Sequence, residues 1–518
     1  MAEPEPETAL SKVEHIVHVM FENRSLDNVL GWLYWTDDPK TRNRPKVNIP
    51  PFPEGRPPVY YGLEEKKYFN TDKEYKGPQY VTRGTSGYGD VPSPDPYEEY
   101  QHVNKQLFGS EANPPKDQVP TMGGFLADYY TAVDSALQIL QTYTPEELPI
   151  INGIAKSYAV SDRRYSSIPT QTNCNRGFAG AGTSLGWVNN HFGPWYDPFE
   201  LVVTFDTNTV WNTLSANGHG STADWGIFYS ETWHDGYCFT RDLLPKLQPA
   251  AFDAHFAPID TFFDNVETGK LPAYSFLEPQ WCLKKFHVGT NGNDYHPPAN
   301  LGPGELFLNR IYSALVQNPA QWEKTLLIVT FDEHGGTYDH VPPPWGAQPP
   351  WGDGKAPYAL ECKFGFDRFG VRVPTILASP YIDEQVVFRS AKEGFHYDHT
   401  SVLATILDWF RIDRSQWNLG ARTAVAPTFE GVLARKEPRK IAPLFTPGPF
   451  SQRLELAIDA PLTNLQRDIA QRNLHYIHQR RLSGGELRAL AARIIGDCRT
   501  QGELDEAMTR YARENSAS

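Results

Sequence analysis

The chain has 518 residues, of which 40% are apolar and 21% charged, and its mean hydropathy is −0.50. This length supports one large domain or two ordinary ones with well-filled cores. The 62 acidic residues outnumber the 48 basic ones, and the net charge of −14 argues against nonspecific nucleic-acid binding and against attraction to anionic membranes. No run approaches the ~18 apolar residues of a membrane span, so we expect no integral membrane segment.

The cysteines and the first residues bear on the compartment. The five cysteines form no C-x-x-C pair and are odd in number, which argues against a disulfide scaffold and against a zinc knuckle. Residues 1–8 are acidic and lack the basic and apolar regions of an export signal. We therefore expect a cytoplasmic protein; export is the alternative if a signal peptide has been removed.

Three short apolar runs predict buried strands of a parallel sheet: His15–Phe21, Thr325–Phe331 and residues 373–378. A helical pattern precedes the second run at Leu306, Leu308, Ile311 and Leu315. Another helix is expected after Asp398, with Thr400 as its cap and Leu403, Ile406 and Phe410 as its inner stripe. This alternation predicts an α/β fold with a doubly wound, mostly parallel sheet, whose ligands bind beyond the carboxyl ends of the strands.

The remaining segments suggest how the chain is divided. Residues 41–120 are rich in Pro, Gly, Tyr and Lys and are expected to form a long loop region over the sheet. We predict a catalytic domain at 1–440 that includes this insertion. Residues 441–518 are predicted to be a connector and a helical C-terminal extension. Two helical patterns are expected there, one at Leu465, Ile469 and Leu474 and one at Leu487, Leu490 and Ile494. The extension is expected to pack on the domain, with an oligomer contact or a lid as the alternatives.

Oxygen-bearing side chains follow two of the predicted strands. Glu22 and Asn23 follow the first strand, and Asp332 and Glu333 follow the second. Converging oxygens of this kind repel one another unless a cation lies between them, and an oxygen-only set favours Mg²⁺, Ca²⁺ or Mn²⁺ over zinc. The alternative is that these residues are an ordinary loop carboxylate and a helix cap.

A third segment, residues 166–178, places hydroxyls before Asn175 and Arg176. A metal-activated hydroxyl there would suit attack on phosphorus, with the amide and the guanidinium holding the other phosphoryl oxygens. An ordinary turn is the alternative. The sequence has no Walker A, G-x-G-x-x-G or G-x-S-x-G motif, so P-loop, Rossmann and serine-esterase chemistry lack support.

Together these segments resemble one known family. It is the bacterial phosphoesterase family that includes non-haemolytic phospholipases C and a related acid phosphatase, within the alkaline-phosphatase superfamily. The matching segments run in family order from about residue 13 to 412: 15–25, 143–149, 158–162, 167–176, 295–298, 322–341 and 397–402.

The resemblance implies a role for each matched position. The metal ligands would be Glu22, Asn23, Asp332, Glu333 and the oxygen of Thr172. Thr172 would also be the nucleophile, with His296 as a phosphate-contacting histidine and His234 as a less certain second one. Asn175 and Arg176 would bind substrate. His334, His340 and His399 lie in matched motifs and suit supporting roles equally well.

One position departs from the family pattern. Glu98, which we expect to bind substrate, stands where many members carry a histidine. A carboxylate there would disfavour a dianionic monoester and suit a diester, a bulkier leaving group or a sugar phosphate. We therefore predict a metal-dependent phosphoesterase that cleaves a mono- or diester through a phospho-threonine, with a small molecule or lipid as substrate. The alternatives are a transferase of the same fold, moving a phosphoryl or glycosyl group to an alcohol, and a non-catalytic anion-binding relative.

Overall fold

The computed structural model describes residues 9–52, 56–87, 89–129, 133–190, 203–230, 236–281, 292–452, 462–478 and 484–515. Within these ranges there are thirteen strands: β1 His15–Phe21, β2 Val47–Ile49, β3 Phe69–Asn70, β4 Gln79–Tyr80, β5 Thr82–Arg83, β6 Gln141–Thr142, β7 Ala159–Ser161, β8 Trp225–Tyr229, β9 Phe256–Pro258, β10 Tyr274–Leu277, β11 Thr325–Phe331, β12 Thr375–Ala378 and β13 Val386–Phe388.

The described part of the chain also contains sixteen α-helices: α1 Leu26–Leu30, α2 Tyr100–Phe108, α3 Phe125–Asp128, α4 Val133–Ala136, α5 Pro149–Ser157, α6 Thr172–Ala181, α7 Val210–Ala216, α8 Phe239–Leu243, α9 Ile259–Thr268, α10 Gly302–Gln317, α11 Pro319–Trp322, α12 His399–Trp409, α13 Gly420–Val425, α14 Asn464–His478, α15 Gly484–Ile495 and α16 Gln501–Asn515. Short 3₁₀ turns lie at Ala9–Lys12, Leu137–Leu140, Pro245–Leu247, Ala250–His255, Glu361–Lys363, Arg414–Gln416, Glu430–Val432 and Pro449–Gln452.

A nine-stranded sheet forms the centre of the fold, in the order β2-β13-β7-β12-β11-β1-β10-β8-β9. Every neighbouring pair is parallel except the two that involve β12. Side chains on both alternations of β1 and β11 are buried, apart from the half-buried His15, so helices cover both faces of the sheet. The predicted doubly wound, mostly parallel sheet is confirmed.

The direction of β12 corrects one expectation. We expected residues 373–378 to form a parallel strand, but β12 is antiparallel to both β11 and β7. All four of its residues are buried. A short strand that is buried on both faces has an unbroken apolar sequence in either direction, so its sequence does not reveal its orientation.

The helix predictions need three adjustments. Helix α10 is present, but its inner stripe includes Phe307 while Leu306 is half-buried. The cap of α12 is Asp398, whose carboxylate accepts from the Thr400 backbone N–H; Thr400 itself lies inside the helix. The loop region 41–120 contains the nine-residue helix α2, which the sequence pattern missed.

The C-terminal segment folds as three helices where two were expected. Helix α14 contacts the helices around the sheet: Asp468 accepts from Asn173 Nδ2 at 2.8 Å, and Arg472 donates to Asp242 at 2.9 Å. All four side chains are buried. The predicted boundary near residue 440 stays a prediction.

Candidate active site

The sheet brings two of the predicted segments to one edge. In the parallel pair β1–β11, Phe21 lies opposite Phe331, so Glu22 and Asp332 leave the sheet side by side. The backbone N–H of Asn23 donates to Asp332 Oδ1 at 3.1 Å. Asn23 has φ +49° and packs against Gly335, where a Cβ would lie 2.1 Å from the Asn23 carbonyl oxygen. The loop after β11 therefore sets the position of Asn23.

Thr172 lies against these ligands at the first residue of α6. Its Oγ1 is 3.2 Å from Glu22 Oε2 and 3.2 Å from Asn23 Oδ1, and the side chain is buried. The sequence placed these three residues at one site, and the structure brings them together.

Asn175 holds the loop that leads into α6. Its Nδ2 donates to the carbonyls of Ile168, Thr170 and Gln171, and its Oδ1 accepts from the Ile168 N–H. Both ends of the amide are thus bonded to the loop backbone. These contacts indicate a part in fixing Thr172, and they give no support to the substrate-binding role predicted for Asn175.

Arg176 lies between the acidic residues of the site. Its Nε donates to Glu22 Oε1 at 2.6 Å and is 3.5 Å from Asp332 Oδ2, while a terminal nitrogen also contacts Glu22. Its guanidinium lies 4.6 Å from the centre of the Trp281 ring. One positive charge is therefore fixed beside the predicted metal ligands.

Glu333 contacts the two residues that follow it, His334 and Gly335. Its Oε2 accepts from the Gly335 N–H at 2.7 Å and lies 3.2 Å from His334 Nδ1. The other ring nitrogen of His334 bonds to Gln106 Oε1 at 2.8 Å. Burial lowers the pKa of His334 to about 3, so the ring is neutral and its single N–H donates to Gln106.

The charge balance of the site fits a bound cation. Burial raises the pKa of Glu22 and of Asp332, although the positive charge of Arg176 opposes the shift. The pKa of Glu333 is also raised, by burial and by the negative charges of Glu98 and Asp332. Asp332 Oδ2 and Glu333 Oε1 are buried without a hydrogen-bond partner. Inward-facing carboxylate oxygens of this kind, with the Asn23 amide oxygen and a hydroxyl, are the donor set that hard divalent cations prefer.

His296 and Glu98 lie on the far side of Asn23. Asn23 Nδ2 donates to Glu98 Oε1 at 2.7 Å, and that oxygen is 3.4 Å from His296 Nε2. Asp95 Oδ1 is 3.8 Å from His296 Nδ1. Burial alone would lower the pKa of His296, but Asp95 and Glu98 together raise it well above its usual value. Two sequence-predicted residues thus join the site through Asn23.

The remaining histidines are bound elsewhere or lie outside the described part. His399 bonds to Arg164 at 2.8 Å and to the Asp332 carbonyl at 2.6 Å, so it supports the strand end. His340 bonds to Asp27 at 2.6 Å in a cluster that also contains Arg372. His234 falls outside the described residues, and its role stays a prediction.

A family model for the phosphoesterase family matches residues 13–413 of the chain. The chain belongs to the phosphoesterase family. The matched range contains Glu22, Asn23, Thr172, Asp332 and Glu333, and it ends before α14. This phosphoesterase is therefore an enzyme of the phosphoric ester hydrolase class, as the resemblance implied.

Named relatives cover most of this phosphoesterase. Non-specific phospholipase C6 of Arabidopsis thaliana is 31% identical over 469 residues, which are 89% of this chain and 80% of the relative. Phospholipase C B of Mycobacterium tuberculosis is 25% identical over 77% of this chain and 73% of its own length.

A more distant likeness is to a solved structure of a protein in the alkaline phosphatase superfamily from Vibrio parahaemolyticus. It has a TM-score of 0.28 and 12% identity, and it covers 56% of this chain and 63% of that one. The family assignment rests on the sequence match.

Sequence reasoning missed three contributors to the site of this phosphoesterase. Asp95 lies beside His296, Gln106 reaches the site through His334, and Trp281 packs against Arg176. The sequence offered a signal only for Asp95, which lies three residues before Glu98. No helix among the described residues is long and apolar enough to cross a bilayer.

Proposed function

We propose that this phosphoesterase hydrolyses a phosphodiester of the phospholipid class through a covalent intermediate on Thr172. The observation that carries the proposal is the position of Thr172 Oγ1, 3.2 Å from both Glu22 and Asn23. The phospholipase C names of the relatives support a lipid phosphodiester as substrate. Glu98 also supports a diester, because its carboxylate would repel a dianionic monoester more strongly than a diester with one negative charge.

The proposed metal ligands are Glu22, Asn23, Asp332, Glu333 and the Thr172 oxygen. A divalent cation held there would lower the pKa of the threonine hydroxyl and neutralise a phosphoryl oxygen. The carboxylates would balance its charge, and the bond from Asn23 to Asp332 would keep the ligands in register.

In the first step the oxygen of Thr172 attacks phosphorus in line. The Thr172 hydroxyl gives up its proton as its oxygen bonds to phosphorus, the ester P–O bond to the leaving group breaks, and the departing oxygen takes up one proton. In the second step water attacks the same phosphorus and gives up a proton, the bond to Thr172 breaks, and the threonine oxygen takes up a proton to restore the hydroxyl. Arg176, fixed beside Glu22, is suited to hold a phosphoryl oxygen in both steps.

His296 is the imidazole nearest to the Asn23 side of the site. As an imidazolium it would donate a proton to the departing oxygen, and as a neutral imidazole it would bind a cation that serves the same oxygen. Its contact with Glu98 is compatible with either form.

The experiment is turnover of a phosphocholine diester and of a chromogenic phosphate monoester, with and without chelator. Wild type is compared with Thr172→Ala, and with Thr268→Ala as a matched control at the exposed end of α9. The proposal predicts faster cleavage of the diester, loss of activity with chelator, and loss in Thr172→Ala but not in the control. Persistence of turnover in Thr172→Ala would refute the covalent role. Appearance of an alcohol adduct in place of the hydrolysis product would favour the transferase alternative.

A further inference from the structure

We propose a second divalent-cation site, formed by Asp95, Glu98 and His296, beside the one proposed above. This second site rests on the proposed function only because it lies next to the first cation site. It is tested by measuring metal binding. Asp95 and Glu98 precede α2, while His296 precedes α10, so two distant parts of the chain build the site. One oxygen or nitrogen from each of the three side chains lies within 4.8 Å of the other two.

The state of the His296 ring is the observation that points to a ligand. His296 is 1% exposed, and its Nε2 has no hydrogen-bond partner although it lies 3.4 Å from Glu98 Oε1. Its Nδ1 is paired with the carbonyl of Pro297. Metal-binding histidines typically donate one ring N–H to a carbonyl or carboxylate and offer the other nitrogen to the metal. The ring is therefore set up to present Nε2 as a ligand.

Two carboxylates flank the ring, Glu98 at Nε2 and Asp95 at Nδ1, and the imidazole offers at most one positive charge against both. Asp95 Oδ1 is buried without a hydrogen-bond partner, and Glu98 accepts from the neutral amide of Asn23. Arg24 is close enough for its charge to act on Asp95, but its hydrogen bonds go to the carbonyls of Tyr295 and Val91 and to Asn28. A divalent cation would satisfy the two carboxylates and the imidazole together, whereas a proton on His296 supplies only one positive charge.

A comparable cluster elsewhere shows what a satisfied group of this kind looks like. Asp27, Asp339 and His340 are also close enough to hold an ion. There, however, Arg372 donates to both carboxylates, at 2.8 Å to Asp27 and at 3.0 Å to Asp339. A guanidinium already occupies the position of a cation, so we assign no metal to that cluster.

The ligand types indicate which ions would bind. The first site offers only oxygen, whereas the second combines one imidazole nitrogen with two carboxylates. Imidazole favours Zn²⁺ and other late transition metals over Mg²⁺ and Ca²⁺, and the two carboxylates also suit Mn²⁺. The expected occupant is therefore a transition-metal ion, and it would lie one side chain away from the first cation because Asn23 bonds to Glu98.

The test is the Mn²⁺ stoichiometry of the full-length protein after chelator treatment, measured by titration calorimetry and by metal analysis. Wild type is predicted to bind two equivalents. His296→Gln and Asp95→Asn are each predicted to bind one at the Mn²⁺ concentration that saturates wild type. Asp224→Asn is the matched control and is predicted to keep two, because it removes a half-buried carboxylate that lies 3.6 Å from His219, outside both sites. Circular dichroism verifies that each variant is folded.

Glu22→Gln separates this proposal from the proposed function. It should abolish the first site and leave one equivalent that depends on His296. If wild type binds one equivalent that Glu22→Gln removes and His296→Gln does not, the second site is refuted and the first stands. If two equivalents bind and both survive in His296→Gln and in Asp95→Asn, the second ion lies elsewhere and the proposal is also refuted. If no Mn²⁺ binds, both proposals fail.

Discussion

Arg176 offers a direct way to measure how much charge the site holds. The guanidinium is buried, and it contacts Glu22 and Asp332 as well as the backbone carbonyls of Met20 and Phe21. Arg176→Ala would remove the positive charge and leave two buried carboxylates without it. We predict that in chelator this variant is less stable than wild type and that divalent cation partly restores it.

The structure sets the expected size of the effect. Removing one partner of a buried ion pair costs about 3–5 kcal/mol. Arg176→Lys keeps the charge but loses the planar donor to Glu22. We expect it to lower the free energy of unfolding by about 2 kcal/mol, as for one hydrogen bond to a charged group. A cation at a hundred times its Kd adds about 2.7 kcal/mol to any folded form that binds it. Because Arg176 competes for the same carboxylates, the gain from cation should be larger in Arg176→Ala than in wild type.

The assay is urea unfolding in chelator and in excess Mn²⁺. Arg310→Ala is the matched control, because Arg310 pairs with Asp260 at 2.8 Å on the surface and should cost under about 1 kcal/mol with no dependence on Mn²⁺. An Arg176→Ala protein as stable as wild type in chelator would refute the charge balance described above. An equal gain from Mn²⁺ in both proteins would show that Arg176 and the cation do not share ligands.

Three further changes test the site and its frame. Gly335→Ala should lower kcat sharply, because its Cβ would lie 2.1 Å from the Asn23 carbonyl oxygen. Gly346 also has a positive φ, but a Cβ there would have no atom within 4 Å, so Gly346→Ala should cost only about 1–2 kcal/mol of stability and leave kcat unchanged. Equal activities in the two variants would contradict this. Burial raises the pKa of Glu305 from 4.5 to about 7, so the folded protein holds this proton more tightly than the unfolded chain does. The stability that the protonated carboxyl contributes is therefore complete below pH 4.5 and is lost as the pH rises through 7. Urea unfolding across that window should show wild type losing about 3 kcal/mol relative to Glu305→Gln, and a constant difference would refute the shift. Glu333→Gln should weaken Mn²⁺ binding by ten-fold or more, measured by calorimetry, whereas Glu361→Gln, a carboxylate that accepts from the Val188 and Asn189 N–H groups, should not.

The acidic ends of β1 and β11 were predictable from the sequence for a simple physical reason. Parallel neighbours end at the same edge of a sheet, so residues that follow two such strands meet there. Glu22, Asn23, Asp332 and Glu333 all follow this rule. The family resemblance added Thr172, whose segment gave only a weak signal by itself.

Other features depend on tertiary packing that sequence patterns do not report. The predicted direction of β12 was wrong, because the sequence of a buried four-residue strand carries no signal of its direction. The meeting of Asp95 and Glu98 with His296 requires two loops about 200 positions apart in the sequence to converge. Helix α16 was missed because its large apolar residues are few, although the buried Leu504, Met508 and Ala512 recur every four residues in the otherwise largely polar segment.

The most direct test of the covalent role of Thr172 is the stereochemical course at phosphorus. A phosphorothioate diester of known configuration would be cleaved in water labelled with heavy oxygen, and the configuration of the product determined. Two successive in-line displacements, first by Thr172 and then by water, predict net retention. Net inversion would mean that water attacks the ester directly, and it would contradict the proposed intermediate whatever the fate of activity in Thr172→Ala.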